Sequence, residues 1–500
     1  MKSIIVLVAI VGIAAAGRPD TERVITTFKQ IAPLYKPTIQ EAQTIINAIK
    51  SNATNQLAEL HLAIIGKKEG YVQQVIGRED YILQQISTQR SADQVCMSFV
   101  RTSSEMNVNL AGVSFTNCIN AADEAIKTKL EEYYGYMGDY EQKVSLLRLL
   151  DVFQGQNVFH SPQPIIARLN AKMEALRNSS SLITENDAQF MINQVRNDMQ
   201  TIQLAYSNCM GVAYGLLGQG LNMCEMQMTM ICGAVLSCDI GKGMGNSCAD
   251  VNMKLLVCVV LLLAGGSYAG RPGAQEVIEK FRAIVPGYLA AMGKDQQQLV
   301  TLERQGTDAI AQFHSDIMLA KETFVLSITG QEDTLIGLIN AQNRSIADGQ
   351  CMQFVSTALN ETVNVIGVAY TKCINAADES LSSNISSYYG TIGELEQAVV
   401  DVRLLDVFRG DNVFYTPDSI VAKLRQKESE LNANNSTTVA GEMREEIAAF
   451  QADLAKIRER YIGCMTVAEM SFRSYMELAR QQLAVICGAL LENAPNDVAA

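Results

Sequence analysis

Cys118-Ile119-Asn120-Ala121-Ala122-Asp123-Glu124 returns unchanged as Cys373-Ile374-Asn375-Ala376-Ala377-Asp378-Glu379, 255 positions further on. The same offset carries Cys96, Cys209 and Cys232 onto Cys351, Cys464 and Cys487. It also carries Leu149-Leu150-Asp151-Val152-Phe153, Gly155, Asn157-Val158-Phe159 and Pro162 onto Leu404-Leu405-Asp406-Val407-Phe408, Gly410, Asn412-Val413-Phe414 and Pro417. Upstream of the first shared cysteine the offset is 253, as Gly17-Arg18-Pro19 against Gly270-Arg271-Pro272 shows. The chain is one tandem duplication of a long unit and not a short-period solenoid.

Spacing within each unit constrains the cysteines. Cys96 and Cys118 are 22 residues apart, Cys209 and Cys232 are 23 apart. Along one helix that is about 33 Å at 1.5 Å per residue, whereas a disulfide needs Cα atoms within about 4.4–6.8 Å. If each pair lies on one helix, the bonds run between two helices, and near-equal spacing fits two neighbours clamped at both ends. The reading taken is antiparallel: Cys96–Cys232 with Cys118–Cys209, and Cys351–Cys487 with Cys373–Cys464. Its rival is parallel, Cys96–Cys209 with Cys118–Cys232. In the chain-entropy account each such closure stabilises by about 4–5 kcal/mol.

Apolar residues recur at helical spacing almost throughout, as in Ile39, Ala42, Ile45, Ile46, Ile49 and in Val72, Val75, Ile76, Ile82, Leu83, Ile86. Pro164 reads as a first-turn proline opening a helix. Pro33 and Pro37 are expected to break the first helix early. Asp151–Pro162 lacks the period and carries Gly and Pro, so it reads as a loop anchored by Phe153 and Phe159. Its repetition argues for a packed corner. The fold expected is all-α: two tandem disulfide-clamped helical bundle domains.

Each unit has its own opening. Met1-Lys2 precedes the apolar run Ile4–Ile10 and the small residues Ala14-Ala15-Ala16; Met253-Lys254 precedes Leu255–Leu263 and Ser267-Tyr268-Ala269. A basic start, an apolar core and small residues before a cleavage point build a secretory signal peptide. The expected organisation is a signal peptide over 1–16, a first helical copy over 18–236, a junction over 237–252 without counterpart, a second signal-like segment over 253–269, and a second copy over 271–500. The internal signal has two explanations. Two neighbouring genes were joined, which is preferred, or a real fusion is cleaved after Ala269 into two products. A buried core helix is the bland alternative for the second apolar run. Neither run reaches the about 18–20 residues that span a bilayer, so no stable membrane span is expected.

Bulk properties fit this organisation. The 500 residues are 48% hydrophobic and 19% charged, with net charge −13 and pI near 4.9. That balance argues against nucleic acid and anionic membrane surfaces as partners. Of the 12 cysteines, Cys258 belongs to the second signal. Cys238–Cys248 could close a small loop in the junction, leaving Cys224 odd; its counterpart Ala479 suggests a small buried apolar residue.

Signatures of chemistry are missing. His160 becomes Tyr415 in the second unit, and His61, matched by His314, has no second shared histidine, so it reads as a helix-packing residue. No HExxH, CxxC, nucleophile elbow or phosphate-cradling loop occurs. Gly218 and Gly220 are a lone Gly-x-Gly inside an apolar helix. Asp123-Glu124 and Asp378-Glu379 are adjacent carboxylates, which diverge on a helix and read as a solvated face. Met210, Met223, Met226, Met228 and Met230 read as core filler or, in the rival view, as the lining of an adaptable apolar cavity. Secretion makes Asn52, Asn178, Asn343, Asn360, Asn384 and the overlapping Asn434 and Asn435 candidate N-glycan acceptors, with Asn360 expected to be hindered by helix packing. No catalytic residue, cofactor-binding residue or metal ligand is assigned, and no cofactor is expected.

With the cysteines placed, each unit resembles the tsetse EP protein domain family of secreted insect proteins. The resemblance rests on Cys351-Met352-Gln353-Phe354 leading to Tyr370-Thr371-Lys372-Cys373-Ile374-Asn375-Ala376, and on Tyr461-Ile462-Gly463-Cys464-Met465-Thr466-Val467-Ala468 leading to Leu483 and Cys487. Similar features surround Cys96, Cys118, Cys209 and Cys232, so about two-thirds of each unit is covered. The family carries further cysteines that the second unit lacks. The resemblance implies an extracellular helical protein of gut, salivary or haemolymph setting, and implies no reaction. The expected function is a secreted non-enzymatic helical protein engaged in gut, salivary or defence-related binding of an unknown protein. The alternative is a carrier that holds a hydrophobic ligand between its helices.

Overall fold

A computed structural model describes residues 18–89, 92–177, 182–234, 271–342, 348–400, 403–433 and 437–489. Both signal-like segments and the 237–252 junction lie outside these. The first copy consists of α1 (Pro19–Thr88), α2 (Gln94–Ser145), α3 (Pro162–Arg177) and α4 (Glu185–Met230). The second consists of α5 (Pro272–Ala341), α6 (Gly349–Val400), α7 (Pro417–Ala433) and α8 (Thr437–Gln481), the last continuing into a π turn, Gln482–Ile486. Short 3-10 turns, Leu150–Phe153 and Leu405–Phe408, lie between α2 and α3 and between α6 and α7. No strand occurs among the described residues.

Local chemistry sets the helix ends. Pro19 and Pro272 sit in the first turns of α1 and α5, where a missing N–H costs nothing. The Asp93 carboxylate accepts from the Val95 and Cys96 amides, and Asp348 does the same for Gln350 and Cys351. Thr184 and Asp187 form a reciprocal capping box that starts α4. Gly233 and Gly488, with φ of 70° and 68°, take the left-handed conformation just past the clamp cysteines.

Pro33 and Pro37 do not break the first helix: α1 runs through both for 70 residues. Each proline removes a backbone donor and crowds the preceding turn, at about 3 kcal/mol in isolation. Tertiary packing overrides this here, because Ile31, Tyr35 and Ile39 around the prolines are buried. The Thr38 hydroxyl also donates to the Leu34 carbonyl and to that of Leu176 in α3, each at 2.8 Å.

Within each copy two long helices are bonded at both ends. Cys96–Cys232 and Cys118–Cys209 join α2 to the α4 segment with Cα separations of 5.4 and 5.7 Å. Cys351–Cys487 and Cys373–Cys464 do the same for α6 and α8 at 5.4 and 5.8 Å.

The two copies pair with each other. Helices α1 and α5 lie antiparallel, so that Arg18 meets Glu332, Lys29 meets Glu322, Glu69 meets Arg282 and Glu79 meets Arg271. Nearly every such contact occurs twice with the copies exchanged, as across a two-fold axis. The repeated Asp-Val-Phe corner is packed against the other copy. Asn157 Nδ2 donates to the Asn364 carbonyl at 2.7 Å, and Asn412 Nδ2 to that of Asn109 at 2.8 Å. The approach is close enough that a Cβ added to Gly367 or Gly112 would stand 1.9 Å from the asparagine oxygen. Buried apolar residues of both copies form one continuous core.

Candidate functional site: a charged centre between the copies

The dyad relating α1 to α5 passes near residue 50 of the first copy and its counterpart, residue 303 of the second. These positions carry opposite charges. Lys50 lies on the buried stripe Ile46, Ile49, Ala53, Leu57 of α1, and Glu303 on that of α5. Two further glutamates reach in, Glu141 from α2 and its equivalent Glu396 from α6. The Lys50 ammonium bonds to Glu141, lies 2.5 Å from Glu396 and 3.6 Å from Glu303. Asn47 Nδ2 donates to the other Glu303 oxygen at 3.1 Å.

Burial opposes the Lys50 charge, but Glu303, Glu141 and Glu396 together overcome it and hold its pKa above the lysine range. One ammonium cannot satisfy three carboxylates. Burial pushes Glu303 up to about 8 against the attraction of Lys50, and Glu396 up to about 7 for the same reason. The centre therefore retains protons near neutrality. Oxygens of Glu141, Glu303 and Glu396 lie within 4.8 Å of one another, the arrangement that suits a cation; the cation they surround is the lysine of the same chain. Beside the centre lies a cavity of about 260 Å³, lined by Asn47, Lys50, Tyr134, Gln296, Val300 and Glu396 among others. Thr307 donates to Gln43 Oε1 at 3.0 Å, and Gln296 donates to the equivalent Thr54 from the other side.

Other buried polar groups join the copies. Asp123 and Asp378 do not form a solvated face: both are buried, and the Asp123 oxygen lies 3.1 Å from Arg403 Nη1 while that of Asp378 lies 3.2 Å from Arg148. Copy pairing turned the surface expected of one unit into an interior. Burial pushes the Asp378 carboxyl up to about 6 in spite of Arg148. Their neighbour Glu124 stays exposed and meets Arg409. Lys68 lies 3.1 Å from the centre of the Phe408 ring and Lys321 3.9 Å from that of Phe153, each roofed by the other copy's corner. Burial pushes both lysines down, Lys321 to about 7. His61 and His314 pack edge-on against Tyr288 and Tyr35 of the opposite copy, and burial lowers them to about 4 and about 3.

The methionine stripe divides. Met210 and Met228 fill the interface of α4 with α2 and α1, whereas Met223, Met226 and Met230 face outward. At 3.6 residues per turn the stretch covers more than one face, so it is neither wholly core nor a cavity lining. Cys224 is buried and free, its thiol 3.6 Å from the Ser103 hydroxyl. Asn52 and Asn384 are half-buried on α1 and α6. Asn360 is exposed on α6, and its Oδ1 accepts from Arg18 of the other copy at 2.8 Å. Asn178, Asn343, Asn434 and Asn435 lie outside the described residues, as do Cys238, Cys248 and Cys258.

Reading the sequence alone passed over Lys50, Glu303 and the arginine pair. A signal was present: with the 253 offset, position 50 is the one where a buried-stripe lysine is replaced by a glutamate, and Gly-Arg-Pro repeats intact. Comparison with family models, curated proteins and solved structures returned no match to this chain.

Proposed function

We propose that this chain is a secreted, non-enzymatic helical protein of the insect tsetse EP type that binds an amphipathic, basic protein partner. One observation carries the reading. Apolar residues stand exposed at equivalent places on both clamped helix pairs: Phe99 and Phe354, Leu110 and Val365, Val113 and Val368, Val212 and Val467, Met223 and Leu478, Ile231 and Ile486. Phe99 and Phe354 are each 71% exposed. Scattered exposed apolar residues are ordinary, but equivalent positions kept apolar and exposed on both clamped pairs are what a docking face requires. The net charge of −13 favours a basic partner.

The hydrophobic-carrier reading has less support. The cavity of about 260 Å³ is below the about 300–1,000 Å³ of small-molecule sites, and Met210, Leu217, Leu221 and Met228 fill the space between the clamped helices of the first copy. Secretion is supported by four disulfides. No helix of the described residues is long and apolar enough to cross a membrane.

The test uses the secreted full chain and two labelled synthetic heptad peptides, one of Leu and Lys, one of Leu and Glu. Fluorescence anisotropy should show the basic peptide binding. Joint Phe99→Ser and Phe354→Ser substitution should weaken it about tenfold, consistent with loss of aromatic anchors, with helicity unchanged. Equal binding by the variant, or preference for the acidic peptide, overturns the reading.

A further inference from the structure

We infer that the interface between the copies is charge-coded, so that the first copy accepts the second as its partner while the second is barred from pairing with itself. Most other contacts around the dyad are self-complementary; Lys36 and Gln40 with Asp308, and Glu124 with Arg409, occur once. Arg18 with Glu332 is repeated as Arg271 with Glu79, Arg148 with Asp378 as Arg403 with Asp123, and the Asn157 corner as the Asn412 corner. An interface in which residue i meets j and j meets i is that of a symmetric dimer of identical units. The repeated contacts do not tell one copy from the other.

The centre does tell them apart. Position 50 and its equivalent 303 face each other across the dyad, flanked by the equivalent Glu141 and Glu396. In the pairing present, one ammonium sits among three carboxylates. Replacing the second copy by another first copy puts two lysines with two glutamates, a balanced set. Replacing the first copy by another second copy puts four carboxylates together with no cation. All four positions are at most 14% exposed at the side chain, so four carboxyls there must either stay charged together or be held protonated by burial, and both costs discriminate against that partner. The lysine is the element that admits the second copy. A product released by cleavage between the units thus stays a one-to-one pair, with the second unit dependent on the first.

The experiment keeps the full chain and adds a specific protease site in the stretch between Ala234 and Arg271, outside the paired helices. After cutting, native mass spectrometry and gel filtration at neutral pH should show the halves together, one of each. Adding an excess of a mass-labelled cut preparation should produce exchanged first–second pairs and first–first pairs, and no second–second pairs. Lys50→Glu should weaken the cut pair about a hundredfold, as the loss of the sole cation among buried carboxylates requires. The exchange Lys50→Glu with Glu303→Lys should restore it, because the two positions are equivalent across the dyad. The double variant has the wild-type charges and keeps the inference testable even if the single variant fails to fold. Second–second pairs in the wild type, an undiminished Lys50→Glu pair, or a double variant that stays apart would each overturn it.

Discussion

Arg18 grips Glu332 with both prongs of its guanidinium, Nε to Oε2 at 2.8 Å and Nη2 to Oε1 at 2.9 Å, across the boundary between the copies. The same arginine donates to the Phe159 carbonyl at 2.8 Å and lies over the Phe159 ring. One side chain therefore ties the start of α1 to the opposite copy's helix α5 and to its own copy's corner. Arg18→Ala should cost about 2–4 kcal/mol, mostly because the buried Glu332 is left unpaired. Arg18→Lys should recover little, since an ammonium cannot reproduce the two-pronged contact. Urea denaturation of the full chain measures both; a loss under about 0.5 kcal/mol for Arg18→Ala, ordinary for a surface site, would sink this account.

The charged centre has a signed pH dependence. Glu303 and Glu396 hold protons up to about 8 and about 7 in the folded chain, against an ordinary value of 4.5. A carboxyl raised on folding contributes stability that is full below the unfolded value and is lost as pH climbs through the folded one. Glu303→Gln removes that loss, so its stability relative to wild type should rise between pH 4.5 and pH 8. His61 and His314 act oppositely, since neutral burial favours folding above 6.5 and that gain is lost on acidification toward about 4 and about 3. Melting curves of both chains across this range give the difference directly; a flat difference contradicts the assignment.

Gly112 and Gly367 should tolerate no side chain. A Cβ at either would collide with the asparagine of the other copy's corner at 1.9 Å, displacing a side chain that also holds its own turn through the Phe159 and Phe414 amides. Gly112→Ala should destabilise by about 2–3 kcal/mol through overpacking and lost hydrogen bonds. Gly77→Ala, with open space around it on α1, should stabilise by about 0.5–1 kcal/mol. Opposite signs in one denaturation series are the expected result.

Removing the inner clamp by joint Cys118→Ser and Cys209→Ser should cost about 4–5 kcal/mol for a separation of 91 residues in the chain-entropy account. Cys224→Ala should cost about 1 kcal/mol at most, because Ala479 already fills the equivalent buried place. A thiol reagent followed by peptide mapping should leave Cys224 unlabelled until the chain is denatured.

Helix content and the bundle class were legible in the spacing of apolar residues, and the clamped helix pairs in the even spacing of cysteines along them. Three things were not legible, for physical reasons. Packing around Ile31, Tyr35 and Ile39 carries α1 through prolines that local propensity says should stop it. Asp123 looked solvated because a single unit shows only its own surface, and the Arg403 that buries it lies 280 residues away. Lys50 and Glu303 drew no notice in the sequence, because only the antiparallel pairing of α1 and α5 brings them together. Each miss is a consequence of pairing between copies, which the repeat announced without revealing its geometry.

The antiparallel course of α1 and α5 has a consequence for reach. Each helix is about 105 Å long at 1.5 Å per residue, and each clamped pair begins beside the C-terminal end of its own long helix. The two exposed apolar faces are therefore carried toward opposite tips of a rod. A small partner cannot touch both at once. If those faces bind as proposed, avidity comes only from targets that are themselves repeated at a matching interval, and a chain cut down to one face would lose far more than half of its hold.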